Sequence, residues 1–126
     1  MTNIIIGKDC GNSPKNIFLE HVTAAFAKND IAFLLSRVTE DIVWDMVGAE
    51  KFSGKAAFAA ALERVNSVET LELVIKHVLS HGRAGAVDGV RKMADGKTFS
   101  FCHIYVFSSV KYTHIKEITS FVIPIS

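Results

Sequence analysis

The stretch "TFSFCHIYVFS", Thr98 to Ser108, limits the fold more than any other part of the chain. Phe99, Phe101, His103, Tyr105 and Phe107 share one face, while Ser100, Cys102, Ile104, Val106 and Ser108 share the other. This alternation is the mark of a β-strand with two unlike faces. A face of aromatic rings and one imidazole is unstable in water, so something apolar must cover it. The other face is only moderately apolar, which suits a sheet that is partly solvated or docked in a dimer.

The first half of the chain supplies the cover. Ser13 before Pro14 reads as an N-cap with proline at the first helical position. Ile17, Phe18, His21, Val22, Ala25 and Phe26 then recur at helical spacing. "KND" (Lys28 to Asp30) breaks this helix and caps a second, shorter one marked by Ile31, Leu34, Leu35 and Val38, which "TED" ends. "DIVWDMV" is short and rich in β-formers. Ser53 is expected to cap a third helix, Gly54 to about Asn66, with Phe58, Leu62 and Val65 on its apolar side.

The second half is strand-like. Glu69 to Ser80 alternates, with Leu71, Leu73, Ile75, His77 and Leu79 on one face. Ala84 to Lys92 comes next, then the Asp-Gly hairpin signal of "ADGK". Thr98 to Ser108 leads through "SSVK" to Tyr112–Ile125. Period two with close turns predicts an antiparallel meander. The fold class is therefore α+β: three N-terminal helices packed on a curved antiparallel sheet.

The chain has 126 residues, enough to bury a core without disulfides or metal. It reads as one domain, 1–126, with residues 1–12 as an N-terminal extension. The composition is 49% apolar and 21% charged, with a net charge of +1. That leaves no basic footprint for nucleic acid or an anionic membrane. The apolar run at Ile4–Ile6 is too short for a signal core or a membrane span, so a cytoplasmic location is expected. Cys10 is expected as a free surface thiol and Cys102 as a small hydrophobe in its strand.

Three segments together resemble the nuclear-transport-factor-2-like superfamily, in its SnoaL-like and ketosteroid isomerase branch. They are "AKNDIAFLLSRVTEDIVW", "VWDMVGAEKFSGKAAF" and "FCHIYVFSSVKYTHIKEITSF". The resemblance spans roughly Pro14 to Phe121 and implies a cystatin-like cone with a cavity at its wide end. It also implies a dimer through the convex sheet face. By resemblance, Asp45 matches the isomerase's general base, and His103 falls where that enzyme donates to a developing oxyanion when the hairpin is aligned on Phe107; a slip of one residue would put Cys102 there, and alternation favours His103. The isomerase's first-helix tyrosine is matched by Val22. The polyketide cyclase branch places a histidine on the penultimate strand and an acid on the last, matched by His103 and Glu117.

The residues add a physical case. A carboxylate between Trp44 and Met46 would be partly desolvated, which moves its pKa toward a general base. It could equally cap a turn or pair with a nearby cation such as Lys51. His103 on the aromatic face is either a satisfied core residue or a donor near pH 7. Glu117 reads on one face with Ile115, Thr119 and Phe121. The facing of Asp88 stays open, because Gly85 and Gly89 suggest a bulge. His21, His77, His81, His103 and His114 have no ligand spacing, so no metal is expected. No phosphate loop or nucleophile elbow is present.

The expected function is binding of a small, mostly hydrophobic molecule in an apolar pocket, with no cofactor. If there is a reaction, it is proton transfer next to a carbonyl, of isomerase or cyclase type, by Asp45, His103 and Glu117. Phe18, Val22, Trp44, Phe52, Phe58, Phe101, Tyr105 and Thr119 are expected to line the pocket. The alternative is a non-catalytic ligand-binding or dimeric interaction module.

Overall fold

The start signals of the first two helices work as written. The computed structural model describes residues 2–65, 68–109 and 114–125. Ser13 caps α1 (Pro14–Lys28), its hydroxyl accepting from the Asn16 N–H at 3.2 Å. Asn29 ends α1 in the left-handed conformation (φ 58°), which asparagine tolerates better than most residues. Asp30 then caps α2 (Ile31–Ser36) through the Phe33 N–H.

β2 (Val38–Met46) starts earlier than the sequence suggests: Thr39–Asp41, expected at the end of the second helix, already belongs to it. Ser53 lies in β3 (Lys51–Ser53) rather than at a cap. Gly54, at φ 92°, makes the turn into α3 (Lys55–Val65), and its carbonyl accepts the Phe58 N–H.

Four long strands complete the chain: β4 (Thr70–His81), β5 (Ala84–Met93), β6 (Thr98–Phe107) and β7 (Ile115–Ile125). The expected helix end at Asn66, the turn through Val110 and Lys111 and the strand start at Tyr112 lie outside the described residues. β4 to β7 form the expected antiparallel meander. The whole is the α+β cone, with the helices on the inner face of one curved, seven-stranded sheet.

The sheet is not wholly antiparallel. β2 returns beside β7 in parallel, and β1 (Asn3–Ile6) adds a parallel strand to the free edge of β4. The N-terminal segment thus joins the sheet, through a partner about seventy residues away that no local pattern reports. The turn after β1 (Lys8–Cys10) buries Cys10, whose Sγ lies against the Ile75 and Lys76 carbonyls. The expected surface thiol is therefore an interior residue.

The core is the inner face that β6 predicts. Phe101, His103, Tyr105 and Phe107 are all buried, with α1 across them. Each large apolar side chain removed from water this way contributes about 1.5–3 kcal/mol. Close packing also dictates small residues. A Cβ on Gly89 would overlap the Val74 carbonyl oxygen and press on the Phe101 ring. Glycine there lets Phe101 lie flat across β5.

Bulges decide what faces where. One between Ile75 and His77 turns His77 and Leu79 outward, while Leu73, Ile75 and Val78 point in. Another near Val106 and Phe107 separates Ile115, buried, from Glu117, exposed. Each inserted residue reverses the parity of the strand beyond it.

Candidate functional site

The cone keeps a cavity of about 160 Å³ at one end of the inner face. Phe26 of α1 and Val65 of α3 form its roof. Trp44 and Met46 (β2), Arg91 and Met93 (β5), Phe99 and His103 (β6), and Ser120 and Val122 (β7) form the rest. Its inner end is fully enclosed: Phe26, Trp44, His103 and Ser120 are each 5% exposed or less. At the outer end Val65 and Val122 reach solvent, at 43% and 39% exposure.

His103 is the chemical centre. Its ring stacks on Phe26 at 5.5 Å and 16° and packs against Phe101 at 5.1 Å. Burial holds its imidazole far below the usual 6.5, down to about 3, and the positive Arg91 pushes the same way. It is therefore neutral at physiological pH, with a proton on one nitrogen only.

The network says which nitrogen. Trp44 Nε1–H donates to Ser120 Oγ at 2.9 Å, and Ser120 Oγ lies 2.7 Å from His103 Nδ1. An indole N–H can only donate. Ser120 thus accepts from Trp44 and has one proton to give, and His103 Nδ1 is its remaining partner. Nδ1 then accepts, and the ring proton sits on Nε2, which has no hydrogen-bond partner among the described residues. The chain Trp44 to Ser120 to His103 holds out one polarised N–H.

Arg91 is the second polar group, and sequence reasoning misses it. Its Nη2 donates to Thr70 Oγ1 at 2.6 Å, and its Nε is buried without a partner among the described residues. Burial lowers the guanidinium's pKa. The sequence does hold a signal: Val87, Gly89 and Arg91 alternate, and Val87 is fully buried.

The expected site residues divide into four groups. Trp44 and His103 line the cavity. Phe52, Phe58 and Phe101 stand behind it: Phe52 and Phe58 pack on Trp44 at 5.7 and 5.4 Å. Val22 and Tyr105 are core. The Tyr105 hydroxyl is hydrogen-bonded to Thr23 at 2.9 Å and burial raises its pKa, while Phe18 sits further off, against Phe107 and Arg37.

The fourth group, Asp45, Glu117 and Thr119, lies on the outer face. Trp44 and Met46 line the cavity, while Asp45 between them stays off its wall, in register with Lys51 and Thr119. Glu117 follows the bulge outward, and Thr119 shares its parity. Asp45, His103 and Glu117 do not converge, and no carboxylate lines the cavity among the described residues. Asp88 also faces out, with His77 Nδ1 at 2.9 Å. Cys102 lies beside Asp88 on that face, its thiol pKa raised by burial and then by the Asp88 charge. Among the described residues no group of three or more His, Cys, Asp or Glu could hold a metal ion, and no helix is long and apolar enough to cross a membrane.

A small domain with helices over a curved sheet and a polar group deep in an end cavity defines a class of folds built around an enclosed site. The SnoaL-like domain matches residues 19–115, and the chain belongs to that family, within the NTF2-like superfamily. None of the curated proteins matches it in sequence.

Among solved structures, it resembles a candidate SnoaL-like polyketide cyclase from Shewanella putrefaciens CN-32, with TM-score 0.75 and 14% identity over 89% of this chain and 91% of that one. An LEH-like epoxide hydrolase of M. tuberculosis gives TM-score 0.67 and 18% identity, covering 82% of this chain and 78% of the other. An NTF2-like protein of unknown function from Cytophaga hutchinsonii gives 0.65 and 23%, over 85% and 97%. At these identities the likeness is one of fold.

Proposed function

We propose that this chain binds one small, mostly hydrophobic molecule in the end cavity and holds an acceptor oxygen of that molecule on His103 Nε2–H. The observation that carries the reading is the Trp44–Ser120–His103 chain, which leaves His103 Nε2–H as an oriented donor at the enclosed inner end of the cavity. An acceptor that meets it there gains more than it would in water, because the surroundings are dry and the donor is already oriented.

Binding is favoured over proton abstraction. A base must reach the proton it takes, and the described cavity wall offers no carboxylate. His103 is tied at Nδ1 and protonated at Nε2, so it donates. A reaction that needs only a polarised carbonyl stays compatible with this geometry. In the same reading a second copy covers the outer face, where Leu79, Ile104 and Ile123 stand exposed. Sedimentation showing a monomer at all concentrations would remove that part.

The experiment is nitrogen-15 NMR of the histidine side chains during a titration with cyclohexanone, a neutral ketone of suitable size. The free protein is expected to show His103 with its proton on Nε2, and the ketone to shift that resonance saturably. A proton found on Nδ1, or a resonance indifferent to the ketone, would overturn the reading.

A further inference from the structure

We infer that the natural occupant of the cavity is a small carboxylic acid, bound as its anion, with Arg91 as its counter-ion and His103 as its second donor. This deepens the proposed function and rests on the cavity being a binding site.

The first ground is the unbalanced charge of Arg91. Among the described residues Lys55 pairs with Glu40, His77 with Asp88 and Lys92 with Glu72, and none of these ion pairs includes Arg91. Its guanidinium carries five donor hydrogens, and among the described residues Thr70 Oγ1 is its one hydrogen-bond partner. Such a cation cannot shed its proton to relieve burial. A half-buried charge with its Nε shielded from water and without an ionic partner is costly, and proteins normally supply a carboxylate. Here the described cavity wall supplies none, so the missing anion belongs to the occupant.

The second ground is convergence. Arg91 and His103 both line the cavity from neighbouring strands, and the charge of Arg91 is felt at His103. Two donors of this kind suit the two oxygens of one carboxylate better than a lone ketone oxygen. The planar guanidinium matches carboxylate geometry. The outer end adds no further cation among the described residues, since Val65, Met93, Phe99 and Val122 are all apolar. That argues against a phosphate or a dianion and for a monoanion with an apolar body.

The third ground is size. The cavity of about 160 Å³ is on the scale of one known to hold benzene, about 150 Å³. That volume is on the scale of a benzoate-sized ring, and a longer body can leave by the outer end, where Val65 and Val122 reach solvent.

The test is calorimetric titration with benzoate and with benzamide, which has the same shape and no charge, at neutral pH. Wild-type protein is expected to prefer benzoate by at least about tenfold. Arg91→Met, which removes the charge and its donors, is expected to lose that preference, with benzoate affinity falling at least about tenfold further than benzamide affinity. Equal binding of the two probes by the wild type overturns the carboxylate inference and leaves the binding site standing. Failure of both probes overturns the site itself, and the inference with it. The wild-type comparison needs no variant, so it decides even if Arg91→Met does not fold.

Discussion

Each face of the sheet carries a histidine engaged through Nδ1, and the two sites could hardly differ more. On the outer face His77 meets Asp88 at 2.9 Å with both side chains largely in water. On the inner face His103 meets Ser120 at 2.7 Å behind three aromatic rings. The outer face also holds Asp45 and Glu117. The inner face at the cavity offers two charged or polarised donors, His103 Nε2–H and the Arg91 guanidinium. The contrast teaches where acids can be kept. A carboxylate in the dry cavity would be raised in pKa or would need a partner, whereas on the outer face water solvates it at little cost.

The largest effect should come from protonating the inner histidine. His103 titrates near 6.5 when unfolded and near 3 when folded, so below 6.5 the unfolded state binds more protons. The stability this contributes is fully present above 6.5 and drains away as pH falls toward 3. Urea unfolding is expected to show a loss approaching about 1.4 kcal/mol per pH unit across that window. His103→Gln is expected to flatten the curve, and an equally steep fall in that variant would break the contrast.

A smaller effect should come from Ser120→Ala. It leaves the Trp44 Nε1–H and His103 Nδ1 buried and unpaired, at a cost of about 1–3 kcal/mol. Denaturant midpoints check this, and the His103 NMR signal should lose its single tautomer. The smallest belongs to Asp45→Asn. On the outer face it should move stability by no more than about 0.5 kcal/mol and leave cyclohexanone binding unchanged. If that variant abolishes binding, the outer acids reach the cavity after all and the two faces are not separate.

The alternation of aromatic residues along β6 is enough to put His103 inside and Cys102 outside, because that strand has no bulge before Phe107. The same rule fails along β4 and β7, where an extra residue sends His77 and Glu117 to the other face. A bulge costs one residue and leaves no mark in the hydrophobic pattern beyond a changed phase. Asp45 departs from expectation for a different reason. Its neighbours Trp44 and Met46 already demand the interior, so strand parity, not family likeness, decides its facing. Arg91 is hard to see because a cation in "VRKM" reads as a solvated charge, and only the register against β6 turns it inward. The cap signals at Ser13 and Asp30 work because capping is local, whereas β1 is invisible because its partner strand is distant.

Trp44 gives the cavity wall a role beyond binding. It is the chain's single tryptophan, 2% exposed, with its indole N–H held by Ser120 and its ring at the cavity. Indole emission depends on the polarity and the charge around the ring. All tryptophan fluorescence from this protein therefore originates beside the site, with no background from elsewhere in the fold. An occupant that changes the hydrogen bonding of Ser120 or covers the ring changes that light, so the cavity comes with its own optical gauge of occupancy.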